Sequence, residues 1–383
     1  MSLPRGFPDE EYHARLARAQ EMLAEADLAA LLLTTEPEIR YFTGFLTRFW
    51  ESPTRPWFLI VPVAGNPVAV IPSIGQALMS QTWITDVRTW TSPNPADDGV
   101  SLLADTLSEV ARSGKVGLPD GSETHLRMPI ADLDALKSKV GCTFAGDAGI
   151  MRRLRVIKSV AEIAKIRHSC DIAGRAFSRM AEIARLGVPL EEVFRRFQML
   201  CLDEGADWVP YLAGASDPDG YADVISPATG APLAMGDVLM LDTGLVWDGY
   251  FCDYDRNFAV GTPSPLVADA HARLIDATEA GFAAARPGAT AADVFHAMDA
   301  IVTGGTGTSE VGRLGHGLGM QLTEWPSFIP EDQTPLLPGM VLTLEPSIEV
   351  GQGRFLVHEE NIVIGAEGAS YLTTPAGRDL PVL

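Results

Sequence analysis

Asp242 and Asp253 stand eleven residues apart in Asp242-Thr243-Gly244-Leu245-Val246-Trp247-Asp248-Gly249-Tyr250-Phe251-Cys252-Asp253, a stretch that reads as a β-hairpin carrying an acid on each arm. Apolar residues through Val238-Leu239-Met240-Leu241, and again from Tyr250 to Val260, mark the arms, and Asp248-Gly249 has the chemistry of a tight turn. A register centred near Trp247 and Asp248 sets Asp242 opposite Asp253. Paired side chains on such a ladder have Cβ atoms about 5 Å apart, and carboxylates that close repel unless a proton or a cation lies between them. Bridging divalent ions meet that need. A second hairpin has the same construction: Val341-Leu342-Thr343-Leu344-Glu345 runs toward Gly351-Gln352-Gly353 and returns through Phe355-Leu356-Val357-His358-Glu359-Glu360-Asn361, with Glu345 and Glu359 equidistant from Gln352. Between the hairpins lies Gly315-His316-Gly317-Leu318-Gly319, an imidazole among residues small enough for backbone and ligand to approach closely. Singly, a Gly-flanked His is ordinarily a turn and an acid pair a solvated face. Together, four carboxylates and an imidazole suit two Mn, Fe, Co or Zn ions, about 3.5–4 Å apart in two-metal sites.

The order of these features, two Asp at that spacing, then Gly-His-Gly, then Leu-Glu-Pro, then a Glu heading a β run, resembles the pita-bread metallopeptidases. This is the peptidase M24 family of methionine aminopeptidase, aminopeptidase P, prolidase and creatinase. Met151-Arg152-Arg153-Leu154-Arg155-Val156-Ile157-Lys158-Ser159 with Ala161-Glu162-Ile163-Ala164-Lys165-Ile166-Arg167 looks like the opening of the catalytic domain in the prolidase and creatinase branch. Ile39-Arg40-Tyr41-Phe42-Thr43-Gly44-Phe45 looks like that branch's N-terminal signature. The resemblance implies that Asp242, Asp253, His316, Glu345 and Glu359 hold two divalent ions, with Glu345 and His316 also catalytic and Glu345 a proton shuttle. It implies a hydrolase in which the metals activate water and polarise the scissile carbonyl, acting by default on Xaa-Pro dipeptides. Rival readings are a creatinase-like hydrolase of a non-peptide amide or amidine, a lyase of a small osmolyte, and a non-catalytic binding protein. Retention of all five ligands argues against creatinase itself and against the last reading.

Several positions depart from the family pattern. The second His, seven positions after the ligand His, is Thr323, followed by Glu324-Trp325-Pro326; an Arg two before the last Glu is Val357; and residues 211–235 contain no His. Thr323 and Glu324 are therefore candidates to face the substrate. The Thr two positions after the second Asp is Asp255, either an added ligand or contact for a cationic substrate group, or else an acid paired with Arg256 or a buried Lys. The loop Phe49-Trp50-Glu51-Ser52-Pro53-Thr54-Arg55-Pro56-Trp57 has too few apolar neighbours to bury itself. In creatinase-like relatives a dimer brings this region toward the partner's pocket, so a homodimer with Trp50 and Arg55 at the substrate is expected, Arg55 receiving a carboxylate.

The elements that must position these residues fill two domains, an α/β domain over 1–148 and an α+β pita-bread catalytic domain over 149–383. Helical periodicity covers 10–24, 99–112 and 130–137 in the first, with strands at 28–33 and 116–118 and a hairpin from 57–63 and 67–71. In the second, one long helix is expected over 161–185, with others at 189–204, 266–285 and 291–302. A net charge of −21 opposes phosphate-backbone recognition, and no nucleic-acid partner is expected. No apolar run approaches the roughly 20 residues of a membrane span, and a cytoplasmic location is expected. Cys142, Cys170, Cys201 and Cys252 are scattered as reduced thiols would be.

Overall fold

Six short strands organise the N-terminal unit of the computed structural model, which describes residues 3–51, 56–308 and 312–383. They are β1 (Ala30–Leu33), β2 (Phe58–Pro62), β3 (Val68–Pro72), β4 (Asp86–Trp90), β5 (Lys115–Leu118) and β6 (Thr143–Gly146), in the order β4-β3-β2-β1-β5-β6. The sheet is mixed: β1, β2 and β3 pair antiparallel, while β3 with β4, and β5 with both β1 and β6, run parallel. β1, β2 and β3 are buried along their whole length, which is why they read as apolar runs rather than alternations. One face packs on Leu103, Ala104 and Leu107 of the helix Val100–Val110 and Leu136 of Ile130–Lys139.

The chain divides into Met1–Arg155 and Val156–Leu383, at the end of the short helix Ile150–Val156. The second unit holds two sheets. β7 (Trp208–Pro218), β8 (Asp237–Trp247), β9 (Tyr250–Phe251) and β10 (Tyr254–Ala259) form one, with β8 central; β11 (Gly315–Gly317), β12 (Glu324–Ser327), β13 (Val341–Leu344), β16 (Glu360–Ile364) and β17 (Ala369–Tyr371) form the other, in the order β12-β11-β13-β16-β17. β14 (Ser347–Gly351) and β15 (Arg354–Val357) make a separate ribbon. In the second sheet the period of two sorts the residues: Leu342, Leu344, Ile362 and Ile364 pack on Phe295 and Met298 of the helix Ala291–Val302. His316, Thr343 and Asn361, cross-strand neighbours, share the other face. Along β8 the face of Val238 and Met240, packed against Val267, Ala270 and Leu274 of the helix Pro265–Ala284, continues to Asp242.

Two expectations change. The helix over 161–185 is interrupted: Val160–Ser178 ends at Arg179, and a separate turn, Met180–Ile183, follows. Arg179 forks between Glu182 and Glu204, 3.0 Å and 2.9 Å away, a tie to a residue beyond the next helix that local periodicity does not register. The described rings of the aromatic loop pack together within their own unit, Trp57 buried and Phe49 and Trp50 half-buried. Phe45, Phe49 and Trp50 surround Trp57 at centroid distances of 5.3, 6.3 and 5.7 Å. The Arg127 guanidinium lies 5.2 Å from the Trp50 ring and donates to the Trp50 carbonyl. No helix among the described residues is long and apolar enough to cross a membrane, and all four cysteines are buried free thiols.

A buried ion pair pins the first sheet's turn to the helix Val160–Ser178. Lys165 meets Asp248, both side chains under a tenth exposed. Taking the cation from beside a buried carboxylate costs about 3–5 kcal/mol, so Lys165→Ala is expected to lose that much stability in urea titrations, and the double variant Lys165→Met, Asp248→Asn to recover a large part of it.

Candidate metal centre

The turn between β8 and β9 fixes the first pair of acids. Asp248 (φ 48°) and Gly249 (φ 79°) both occupy left-handed space, the signature of a two-residue hairpin turn matched to strand twist. Trp247 pairs with Tyr250 and Val246 with Phe251, so the turn is centred one residue later than the sequence suggested. In consequence Asp255, not Asp253, lies opposite Asp242. Asp253 is the diagonal neighbour, on the same face and still within reach of a carboxylate. It sits in a break between β9 and β10, and Asn361 spans that break: its Oδ1 accepts from the Asp253 amide at 3.0 Å and its Nδ2 donates to the Asp253 carbonyl. Asn361 was not anticipated. Its signal was limited to a position one strand residue beyond Glu360, and its partner lies 108 residues earlier.

The second pair follows the expected register. Ser347 pairs with Val357 and Leu344 with Glu360, both consistent with a turn at Gln352, and Glu345 and Glu359 lie between these pairs. The Glu345 amide donates to the Leu314 carbonyl at 2.9 Å. His316 is held between two strands, and its flanking glycines have a packing reason: a Cβ on Gly315 would come within 2.2 Å of the Thr343 carbonyl oxygen, and one on Gly317 within 1.9 Å of the Trp325 carbonyl oxygen. His316 Nδ1 lies 2.8 Å from the Gly317 carbonyl. A carbonyl only accepts, so the proton belongs on Nδ1. The Nε2 lone pair then faces Asp253 at 3.1 Å and Glu345 at 3.8 Å, the tautomer a metal-ligating imidazole adopts.

Asp242, Asp253 and Glu359 each offer an oxygen within 4.8 Å of the others. Asp242 Oδ1, Glu345 Oε2 and Glu359 Oε2 are buried without a hydrogen-bond partner among the described residues. Burial pushes the Asp242 and Glu359 carboxyls well above the usual range, and Asp253 adds repulsion to each. Burial raises Glu345 as well, against the pull of His316. Orphaned oxygens and an imidazole lone pair converging on one another are what a site for divalent cations requires, and the donor set is of the mixed oxygen and nitrogen kind that transition ions take.

Residues 164–366 match the description "Metallopeptidase family M24", and residues 15–157 match "Creatinase/Prolidase N-terminal domain". The chain belongs to metallopeptidase family M24. It is 29% identical to the "Probable dipeptidase PepE" of Mycobacterium tuberculosis over 385 aligned residues, covering 99% of this chain and 98% of that one. The crystal structure of dipeptidase PepE from Mycobacterium ulcerans superposes with a TM-score of 0.84 at 28% identity, over 98% of this chain and 99% of the other. The prolidase of Thermococcus sibiricus gives 0.86 at 25% identity, over 99% and 100%. The protein is thus a metallohydrolase of the peptidase type, with the pita-bread fold and a family requirement for divalent metal ions.

Against that family background, the departing residues fall into place one by one. Asp255 is fully buried; its Oδ1 accepts from the Glu359 amide at 2.8 Å and lies 3.4 Å from His358 Nδ1. Its partner is therefore His358, not Arg256 or a lysine, because Arg256 turns instead to Glu360 at 2.8 Å. Burial alone would discharge His358, but the carboxylates of Asp255 and Glu360 beside it outweigh burial and raise its pKa. Glu360 is held down at about 2, burial being outweighed by Arg256, His358 and Thr373. Glu324 is committed to architecture in place of the substrate contact expected of it: it pairs with Lys158 at 3.0 Å and accepts from the Met320 and Gln321 amides. Thr323 accepts from Arg313 at 3.1 Å. Tyr211, also not anticipated, lies beside Asp242, and burial, with the charge of Asp242, drives its phenol far above the usual range. Trp50 belongs to the other unit, and Arg55 lies outside the described residues.

Two outcomes are expected. Asn361→Ala frees both backbone groups of Asp253, and loss of such a supporting contact lowers metal affinity about 10–100-fold; competition with a chelator measures it. Asp242 and Glu359 retain protons at a pH where ordinary carboxyls are ionised, so metal binding releases protons and tightens as pH rises. Calorimetry in buffers of different ionisation enthalpy reads that release directly, and its absence at mildly acidic pH would contradict the raised carboxyl values.

Proposed function

We propose that Asp242, Asp253, His316, Glu345 and Glu359 bind two divalent ions, with manganese, cobalt, iron and zinc the candidates, and that the protein is a dipeptidase. The observation that supports this reading most strongly is the gathering of Asp242, Asp253 and Glu359 oxygens within 4.8 Å of one another, Asp242 and Glu359 each with an unpartnered buried oxygen, with His316 Nε2 3.1 Å from Asp253. Similarity over nearly the whole chain to proteins named as dipeptidases, and over 58% of it to a protein named Xaa-Pro dipeptidase, supports the substrate class.

Bound divalent ions supply a water that ionises near neutral pH and a Lewis acid for the scissile carbonyl. The chain's own contribution is placement. Asn361 holds Asp253, Asp255 holds the amide of Glu359, and the Gly317 carbonyl sets the His316 tautomer. Glu345, whose side chain is 27% exposed against 2% for His316 and 5% for Asp253, reaches toward the open side of the site. A carboxyl there is placed to take a proton from the attacking water and give it to the departing amine. Thr323 cannot match the reach or basicity of an imidazole, which favours dipeptides other than Xaa-Pro and keeps the creatinase-like reading, hydrolysis of a non-peptide amide, as the second possibility.

The test is a screen of the purified, manganese-loaded protein against Xaa-Pro dipeptides, other dipeptides, and small amides and amidines. Dipeptide turnover, with Xaa-Pro substrates poor, is the expected result; turnover confined to non-peptide amides would replace the peptidase reading with the second. Asp253→Ala is expected to lose both metal, by elemental analysis, and activity. Full metal content in that variant would overturn the five-ligand assignment.

A further inference from the structure

Asn361, which spans the break at Asp253, is itself held by a thiol. Cys170 Sγ lies 3.2 Å from Asn361 Oδ1, across 191 residues of chain. Cys170 is 1% exposed, and burial pushes its thiol well above the usual range, so it keeps its proton. A carboxamide oxygen offers only lone pairs, and the S–H therefore donates to it. Oδ1 then receives two donors, the Asp253 amide at 3.0 Å and the thiol, while Nδ2 gives to the Asp253 carbonyl. The backbone of Asp253 decides which end of the carboxamide is oxygen; the thiol decides where that oxygen stands.

The helix carrying the thiol is fixed against the first hairpin. Along Val160–Ser178, Glu162 accepts from the Tyr250 phenol at 3.0 Å, Lys165 pairs with Asp248, and Ser169 donates to the Tyr250 carbonyl at 2.9 Å. These ties set the helix on the turn that joins β8 and β9. Cys170, the next residue, reaches Asn361 on β16, in the other sheet. The backbone of Asn361 is held by its pairing with Thr343 on β13, which leaves the side-chain torsions as the freedom that could shift Asp253. We infer that Cys170 is a positioning residue: its S–H holds Asn361, and through it the backbone of Asp253, so that the Asp253 carboxylate stands where the divalent ions bind. The inference rests on the five-ligand reading above and deepens it by naming a residue outside the ligand set on which metal affinity depends. A thiol is a weak donor, so its effect falls at the lower end of what supporting contacts give, about 10-fold in affinity.

The test uses Cys170→Ala, Cys170→Ser and, for comparison, Cys201→Ala. Cys201 is as fully buried, on the helix Leu190–Asp203, so its truncation is the same change without the bond to Asn361. Cobalt(II) is titrated into metal-free protein against a chelator, and hydrogen exchange at the Asp253 amide is followed by mass spectrometry before metal is added. Cys170→Ala is expected to bind cobalt about 10-fold more weakly than the wild type and to exchange the Asp253 amide faster. Cys170→Ser, which keeps a donor, should recover most of both. Cys201→Ala should lose stability in urea while keeping wild-type affinity and wild-type exchange at Asp253. Undiminished affinity and exchange in Cys170→Ala, no recovery in Cys170→Ser, or an equal loss in Cys201→Ala would each overturn the assignment. A wild type that binds no cobalt would instead remove the five-ligand reading, and the exchange comparison, made without metal, would decide the hold of Cys170 on Asp253 by itself.

Discussion

Repulsion among buried carboxylates is the constraint around which the catalytic unit is built. Asp242, Asp253, Asp255 and Glu359 are each under a tenth exposed, and Glu345 borders them. An ionised carboxylate withdrawn from water costs several kcal/mol unless it is paired or hydrogen-bonded. Bringing several together multiplies the cost, so protons or cations must enter. The molecule spends neighbouring backbone and side chains on holding the acids where they would not gather unaided. A break in the strand frees Asp253 from the ladder, and a single asparagine makes good both hydrogen bonds that the break removes. Glycines on either side of His316 let two backbones close around the imidazole.

Behind the centre, charge is compensated in alternation. Asp255 faces His358, His358 faces Glu360, and Glu360 faces Arg256 and Thr373. Each group answers the one before it, which favours the charged forms of His358 and Glu360 against burial. An acid at 255 with an imidazole at 358 is internally consistent, since either alone would leave an uncompensated buried group. The row neutralises Asp255 from the rear, while its Oδ1 steadies the amide of Glu359. Asp255 thus steadies Glu359 through the backbone, and Glu345, its side chain 27% exposed, is the acid that meets solvent.

Much of this was legible in the chain itself. The two acid pairs, the Gly-flanked histidine and the turn residues are statements about neighbours in sequence, and periodicity placed most helices within a residue or two of where they form. The register of the first hairpin failed because the turn is decided by which two residues take left-handed φ, and Asp248-Gly249 shifts the pairing by a full step relative to a centre at Trp247 and Asp248. The second hairpin, punctuated by two glycines around Gln352, left no such ambiguity.

Residue type and spacing therefore determined that a cluster of acids and one imidazole would exist, and on which strands, because alternation and turn chemistry act over a few residues. Only the tertiary structure decided what each remaining polar group does. Asn361 serves Asp253 across 108 residues, Glu324 serves Lys158 across 166, and Asp255 serves Glu359 across 104. Arg313 and Thr323 meet through a bend, and Trp50 packs with Trp57 and Arg127 of its own unit. A buried polar side chain must satisfy its hydrogen bonds with whatever the fold brings alongside, and that choice depends on geometry assembled from distant segments, which composition and local pattern do not encode.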